Sequence, residues 1–330
     1  MLNSVEETSP ALAVAQQASS PELNAAQLEL PVTVIQPRKG WQLIDAKELW
    51  QYRELLFIFT WRDVKVRYKQ TLLGAAWAII QPFMMMLVFT VFLGKMAGVN
   101  SGEYPYPVFV YAGLLPWTFF STAISNAGNS VVGANAIITK IYFPRLIIPF
   151  ASVGAAVIDF LIAFSMLAAL MFYYGIQPTW SLLLLPVLLC ILGFAAMGIG
   201  TILAALNVAY RDFKYTIPFL VQIWMFATPS IYMEVNEAHL WQGGDEQEVA
   251  ARESGDKKVY RSKTDIIVDS VKPLLAANPM TSVIAFFRAA VLGGPLPWTR
   301  LGHATAIIGL VFLVGVFYFR RIESRFADII

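Results

Sequence analysis

The sequence predicts an all-α membrane protein with six transmembrane helices, and three observations carry the prediction. Apolar residues make up 57% of the chain and charged residues 14%, with a mean hydropathy of +0.60, whereas soluble domains are about a quarter charged. The apolar residues form runs of about 20, long enough at about 1.5 Å per residue to cross a hydrocarbon core of about 30 Å. The basic residues gather at alternate ends of those runs, so every run can be oriented. The net charge of +2 says little as a total. Cys190 is the sole cysteine, which excludes a disulfide framework or a cysteine-based metal site.

Residues 1–40 read as a disordered cytoplasmic tail. Their Ala, Gln, Ser, Pro and Glu content lacks the basic n-region and long apolar core of a secretory signal. From 41 to 69 the pattern turns amphipathic. Leu49, Tyr52, Leu56 and Phe59 recur at three- and four-residue intervals, while Lys47, Arg53, Arg62, Lys65, Arg67 and Lys69 supply a wet side. Trp41, Trp50 and Trp61 suit the headgroup zone. The segment is expected to be a helix lying on the cytoplasmic leaflet. It serves either as a plain anchor or as a contact for a cytoplasmic partner.

Residues 70–330 form the span domain. The first span, about 72–93, joins the basic collar Arg62–Lys69 without a linker, and this fixes that end in the cytoplasm. The second is expected at 105–126, the third at 146–174, the fourth at 180–209, the fifth at 215–232 and the last at 304–319. Residues 234–272 carry mixed charges and Gly243-Gly244, so they read as a polar extracytoplasmic insertion. The stretch 274–292 is apolar but contains Asn278-Pro279 and Arg288. Counted as a seventh span, it would put Arg320-Arg321 outside, against the positive-inside bias. It is therefore expected to form short re-entrant helices on the outer side, where non-helical backbone must pack on protein or a wet path.

The chain is poor in enzyme chemistry. No phosphate-cradling Gly-x-x-x-x-Gly-Lys-Ser/Thr loop occurs, so ATP is not bound through a P-loop. His239 and His303 have no ligand-type neighbours at metal spacing, and no serine sits in a nucleophile-elbow pattern. Asp159 is the one carboxylate deep inside a span. Such an acid costs about 2.5–3.5 kcal/mol on insertion scales, so it marks either a structural hydrogen bond between helices or a transport path. Trp77, Tyr111, Trp117, Phe120, Trp224 and Tyr232 place rings on spans. They are either lipid-facing bulk or flat walls along which sugars could slide. Two polar connectors, Asn129–Lys140 and Asn207–Lys214, share the cytoplasmic side with the amphipathic helix. They are either a docking surface or ordinary solvated turns.

In order, Trp61-Arg62-Asp63-Val64-Lys65-Val66-Arg67-Tyr68, Leu73-Gly74-Ala75-Ala76-Trp77 and Gln81-Pro82 resemble the start of type-2 ABC transporter permeases that export polysaccharides. These are the O-antigen, capsule and teichoic acid permeases. Tyr210-Arg211-Asp212-Phe213 followed by Thr228-Pro229-Ser230-Ile231-Tyr232 is similar to that family's fourth-loop and fifth-span signature. Asn278-Pro279-Met280-Thr281 with Phe286-Phe287-Arg288 resembles its outer re-entrant segment.

The resemblance implies a homodimer in the bacterial cytoplasmic (inner) membrane, with both termini in the cytoplasm and separate ATPase subunits that bind the ATP and magnesium. This chain would hold no cofactor or metal and bind no nucleic acid. Asn129, Asn135, Lys140, Tyr210, Arg211 and Asp212 would couple to the ATPase. Arg53, Arg62, Asp63 and Arg67 would flank that contact. Trp77, Gln81, Tyr111, Trp117, Phe120, Trp224 and Tyr232 would line a channel for a lipid-linked polysaccharide, capped outside by Asn278, Pro279 and Arg288. The long tail and the expanded 234–272 depart from the pattern. Two competing readings are an ABC exporter of a drug or small lipid, and an ATP-independent secondary transporter with Asp159 as its ion site.

Overall fold

The computed structural model describes residues 46–69, 71–96, 104–228, 278–323 and 326. The tail, the insertion 234–272, Tyr232 and the start of the re-entrant stretch lie outside these residues. All regular structure among the described residues is helical. Helices α1 (Ala46–Gln51) and α2 (Arg53–Tyr68) precede the first span. That span is a 3₁₀ turn, Gly74–Ala76, then α3 (Trp77–Phe89) and a π-helical end, Thr90–Met96. Then come α4 (Tyr106–Gly133), the short α5 (Asn135–Ile138) and α6 (Ile147–Tyr173). A 3₁₀ turn, Trp180–Leu184, leads into α7 (Leu185–Ala209), followed by α8 (Phe213–Phe226). Helices α9 (Pro279–Leu292) and α10 (Trp298–Glu323) complete the described chain.

Five of these helical stretches are long and apolar enough to cross a membrane: Gly74–Met96, α4, α6, Trp180–Ala209 and α10. The expected fifth span is represented by α8, whose 14 residues cover only about 21 Å. The helix ends at Phe226, and residues 229–232 of the expected span lie outside the described residues. Second-span helix continues to Gly133, seven residues past the expected end, because polar residues there are satisfied within the bundle. Asn129 Nδ2 donates to the Ser125 carbonyl at 2.8 Å, and Asn207 Nδ2 donates to the Gly128 carbonyl at 2.9 Å. Polar groups inside protein keep a helix intact when their hydrogen bonds are met.

Helix α4 is the centre of the bundle. Within its apolar window 78% of residues are buried, against 11% for Gly74–Met96. It packs on α6, α7, α8 and α9, and Val108, Tyr111, Leu115 and Phe120 have essentially no exposed surface. Helices α7 and α10 cross backbone to backbone at Gly198 and Gly315. A Cβ on Gly198 would sit 2.7 Å from the Phe312 Cα, and one on Gly315 would strike the Gly198 carbonyl oxygen and, at 2.8 Å, Thr201 Oγ1. Lipid tails are as apolar as side chains, so helices in a membrane are held by such close packing rather than by the hydrophobic effect.

The ends carrying the basic residues are gathered by a second apolar cluster. Phe59 of α2, Val131 of α4, Phe143, Leu146, Val208 of α7, Phe319 of α10 and Phe326 belong to it. Helix α2 does not lie across this end. Its contacts climb along α6, from Phe59 on Phe143 through Thr60 on Gly154 to Arg67 on Asp159. The opposite face is mixed, with Phe57, Ile58, Trp61 and Val66 exposed beside Glu54 and Lys65, so it is not the purely wet side expected from the basic residues.

Candidate functional site

Asp159, read from the sequence as either a structural hydrogen bond between helices or part of a transport path, is half-buried and has partners on another helix. Arg67 Nη1 forms a salt bridge with Asp159 Oδ2, and the Tyr68 hydroxyl donates to Asp159 Oδ1. Both partners come from the last turn of α2, while Asp159 lies twelve residues, about 18 Å, beyond the start of α6. Their side chains are 27% and 18% exposed, so the pair is only partly screened by solvent. Burial pulls the Arg67 guanidinium below its ordinary range and pushes the Tyr68 phenol above its own. Tyr68 therefore remains a proton donor to the carboxylate at any physiological pH. Nearby, Asp63 accepts from Arg62 at 2.9 Å and from Ser152 Oγ at 3.2 Å. A second tie between α2 and α6 results.

This pair opens on a cleft of about 330 Å³ between α2, α3, α4 and α6. Trp77 and Gln81 line it from α3, Thr118, Thr122 and Asn126 from α4, and Phe160 from α6. Trp77 is 53% exposed, and Gln81 is exposed as well. The other rings go elsewhere. Tyr111 is fully buried, its hydroxyl donating to the Ala163 carbonyl at 3.0 Å. Trp117, Phe120 and Trp224 pack together, Trp224 meeting Phe120 at 5.2 Å and Trp117 at 6.4 Å edge to face. These four fill space inside the bundle, whereas Trp77 and Gln81 face the cleft.

The connector residues divide between packing and exposure. Asn129 sits on the last turns of α4 and accepts from Asn207 at 3.1 Å. Asn135 opens α5 and is half-buried, while Lys140, Tyr210, Arg211 and Asp212 are exposed. Arg53 is exposed and stacks on Trp50, and Arg62 stacks on Phe59. The same end is clamped by charges that the sequence reading did not pair. The Arg145 backbone N–H donates to Glu323 Oε1 at 2.9 Å, its guanidinium reaches the Glu323 carbonyl, and Arg320 bonds Glu48 at 3.3 Å. One end of α10 thus joins α1 to the segment before α6. No spacing signal could have found these contacts, because their partners lie 178 and 272 residues apart.

The expected gate residues form a knot around α9. Asn278 caps α9 by accepting from the Met280 N–H at 3.1 Å. Its side chain also accepts from Trp224 Nε1 at 3.2 Å and donates to Thr228 Oγ1 at 2.9 Å. Pro279 takes the first helical position, where no N–H is needed. Gly293, at φ 85°, closes the helix. Arg288 is buried, its guanidinium 3.6 Å from the centre of the Phe109 ring. Helix α9 is thus packed largely inside protein.

An apolar helical bundle with its basic ends together and a polar-edged cleft inside defines a polytopic membrane transport protein. The ABC-2 type transporter family matches residues 54–242, more than half of the chain, and this chain belongs to that family. It is 29% identical over 268 residues to the O-antigen export system permease protein RfbA of Myxococcus xanthus, covering 81% of this chain and 91% of the relative. It is 25% identical over 279 residues to the protein of that name from Klebsiella pneumoniae, covering 84% and 95%. The polysialic acid transport protein KpsM of Escherichia coli is 27% identical over 177 residues, covering 51% and 65%.

Proposed function

We propose that this chain is the membrane-spanning subunit of an ATP-driven exporter that moves a lipid-linked polysaccharide, such as O-antigen or capsule, across the bacterial cytoplasmic membrane. The observation that carries the reading is the match to the RfbA permeases along 91% and 95% of their length. The chain works as a homodimer with six spans per copy, α8 belonging to the fifth. Both termini face the cytoplasm, and α9 belongs to an outer re-entrant segment. Separate ATPase subunits bind ATP and magnesium. Their closure pushes on α5 and on the exposed Tyr210–Asp212 turn, and the spans repack in response. A secondary transporter built on Asp159 is disfavoured, because that carboxylate is held in an ion pair with Arg67 rather than left free to take up an ion.

Deleting the chain from the producing strain is expected to abolish surface glycan and leave lipid-linked glycan inside, with the wild-type chain restoring export. Replacing Arg211 and Asp212 together by alanine should leave the protein inserted and the partner ATPase active while export stops. Unchanged surface glycan in the deletion strain would refute the reading.

A further inference from the structure

The cleft beside the Arg67–Asp159 pair carries more than a structural role. Its volume of about 330 Å³ is near the lower end of ligand-binding pockets, about 300–1,000 Å³. It can seat one ring with its substituents, not a chain. Its polar edge is formed largely by uncharged groups: the Gln81 and Asn126 amides and the Thr118 and Thr122 hydroxyls. Amides and hydroxyls both donate and accept, as a polyol requires. Among the described residues the charges lining it are Arg67 and Asp159, already matched to each other. A phosphate approaching Arg67 would meet the carboxylate as well, at a like-charge cost. A sugar hydroxyl can donate to that carboxylate and accept from the guanidinium without displacing either. Trp77 adds an exposed flat ring at the mouth.

We propose that this cleft is a sugar-binding site inside each protomer, which holds one ring of the exported glycan. Trp77 supplies the stacking face, and Gln81, Thr122, Asn126 and the Arg67–Asp159 pair supply the hydroxyl partners. The inference rests on the glycan-export reading and adds a location to it. The cleft borders the ties between α2 and α6, so an occupied site bears on the helix that leads toward the basic end.

The test uses the full chain in inverted membrane vesicles of the producing strain. With Cys190→Ser as background, Ala78→Cys and Thr118→Cys, which line the cleft without serving as its hydroxyl partners, are made separately, and their reaction with a thiol reagent is timed. Three probes are added in turn: the strain's own glycan released from its lipid, inorganic diphosphate, and phosphatidylglycerol vesicles. Free glycan at about ten times its Kd should slow labelling about ten-fold at whichever cysteine variant inserts, and Trp77→Ala should remove that protection. Protection by diphosphate or phosphatidylglycerol without protection by glycan would reassign the cleft to an anionic headgroup and overturn the proposal. No protection by any probe would overturn it too. If the deletion strain has lost its surface glycan while protection is absent, the cleft assignment alone fails. If the deletion strain keeps its surface glycan, the export reading and this inference fail together.

Discussion

Asp159→Asn tests whether the ion pair fastens α2 to α6. The substitution keeps the shape and an oxygen for the Tyr68 hydroxyl, but leaves the Arg67 guanidinium facing a neutral amide. Breaking a fully buried pair from one side costs about 3–5 kcal/mol, and an exposed pair contributes about 0–1. With side-chain exposures of 27% and 18%, the site lies between these limits, so a loss of about 2 kcal/mol is expected. For a chain of 330 residues that lowers Tm by about 3 °C. Replacing both partners by apolar residues, Arg67→Met with Asp159→Leu, should recover most of the loss, because neither charge is then stranded. Thermal unfolding of the detergent-solubilised protein, followed by tryptophan fluorescence for the wild type, Arg67→Met, Asp159→Leu and their double variant, measures the coupling. Strictly additive effects, or Asp159→Asn melting with the wild type, would refute the reasoning, since contacting partners couple by about 0.5–3 kcal/mol.

Three further outcomes are expected. Gly315→Ala should cost about 1–3 kcal/mol or abolish folding, because its methyl meets backbone of α7, whereas Gly309→Ala, with nothing within 4 Å, should be neutral; size-exclusion profiles of the two variants decide. Asn278→Ala removes the α9 cap and its ties to Trp224 and Thr228. A loss of about 2 kcal/mol and a shift in Trp224 emission should follow, read by melting and fluorescence. Glu48→Gln weakens its bond to Arg320, whose side chain is 13% exposed. A loss of about 1.5–3 kcal/mol and faster proteolysis near residues 46–52 are expected on a timed digest.

The clearest departures from the sequence reading occur where a residue's role depends on the rotation of its helix. Trp77 and Trp117 are both tryptophans on spans, yet Trp77 is 53% exposed at the cleft and Trp117 only 3% exposed in the core. Ring type and depth were legible, but the facing was not. Helix α2 shows the same limit. Its basic residues suggested a wet face, but Arg67 turns inward to a carboxylate while Phe57 and Ile58 remain exposed. The cleft hydroxyls of Thr118 and Thr122 gave no signal at all, because threonine on a span is ordinarily satisfied by its own helix, as Thr118 is by the Leu114 carbonyl.

By itself, the sequence determined the membrane class, the positions of the apolar runs, and the end of each that carries the positive charge. These follow from transfer free energies that are summed locally along the chain and need no knowledge of neighbours. Tertiary structure alone decided that Asp159 is matched by residues about 91 positions away, that α4 is the buried centre, and that a cleft remains between α2, α3, α4 and α6. Those outcomes depend on which helix faces meet and how closely, and close approach is set by side-chain fit between segments distant in sequence.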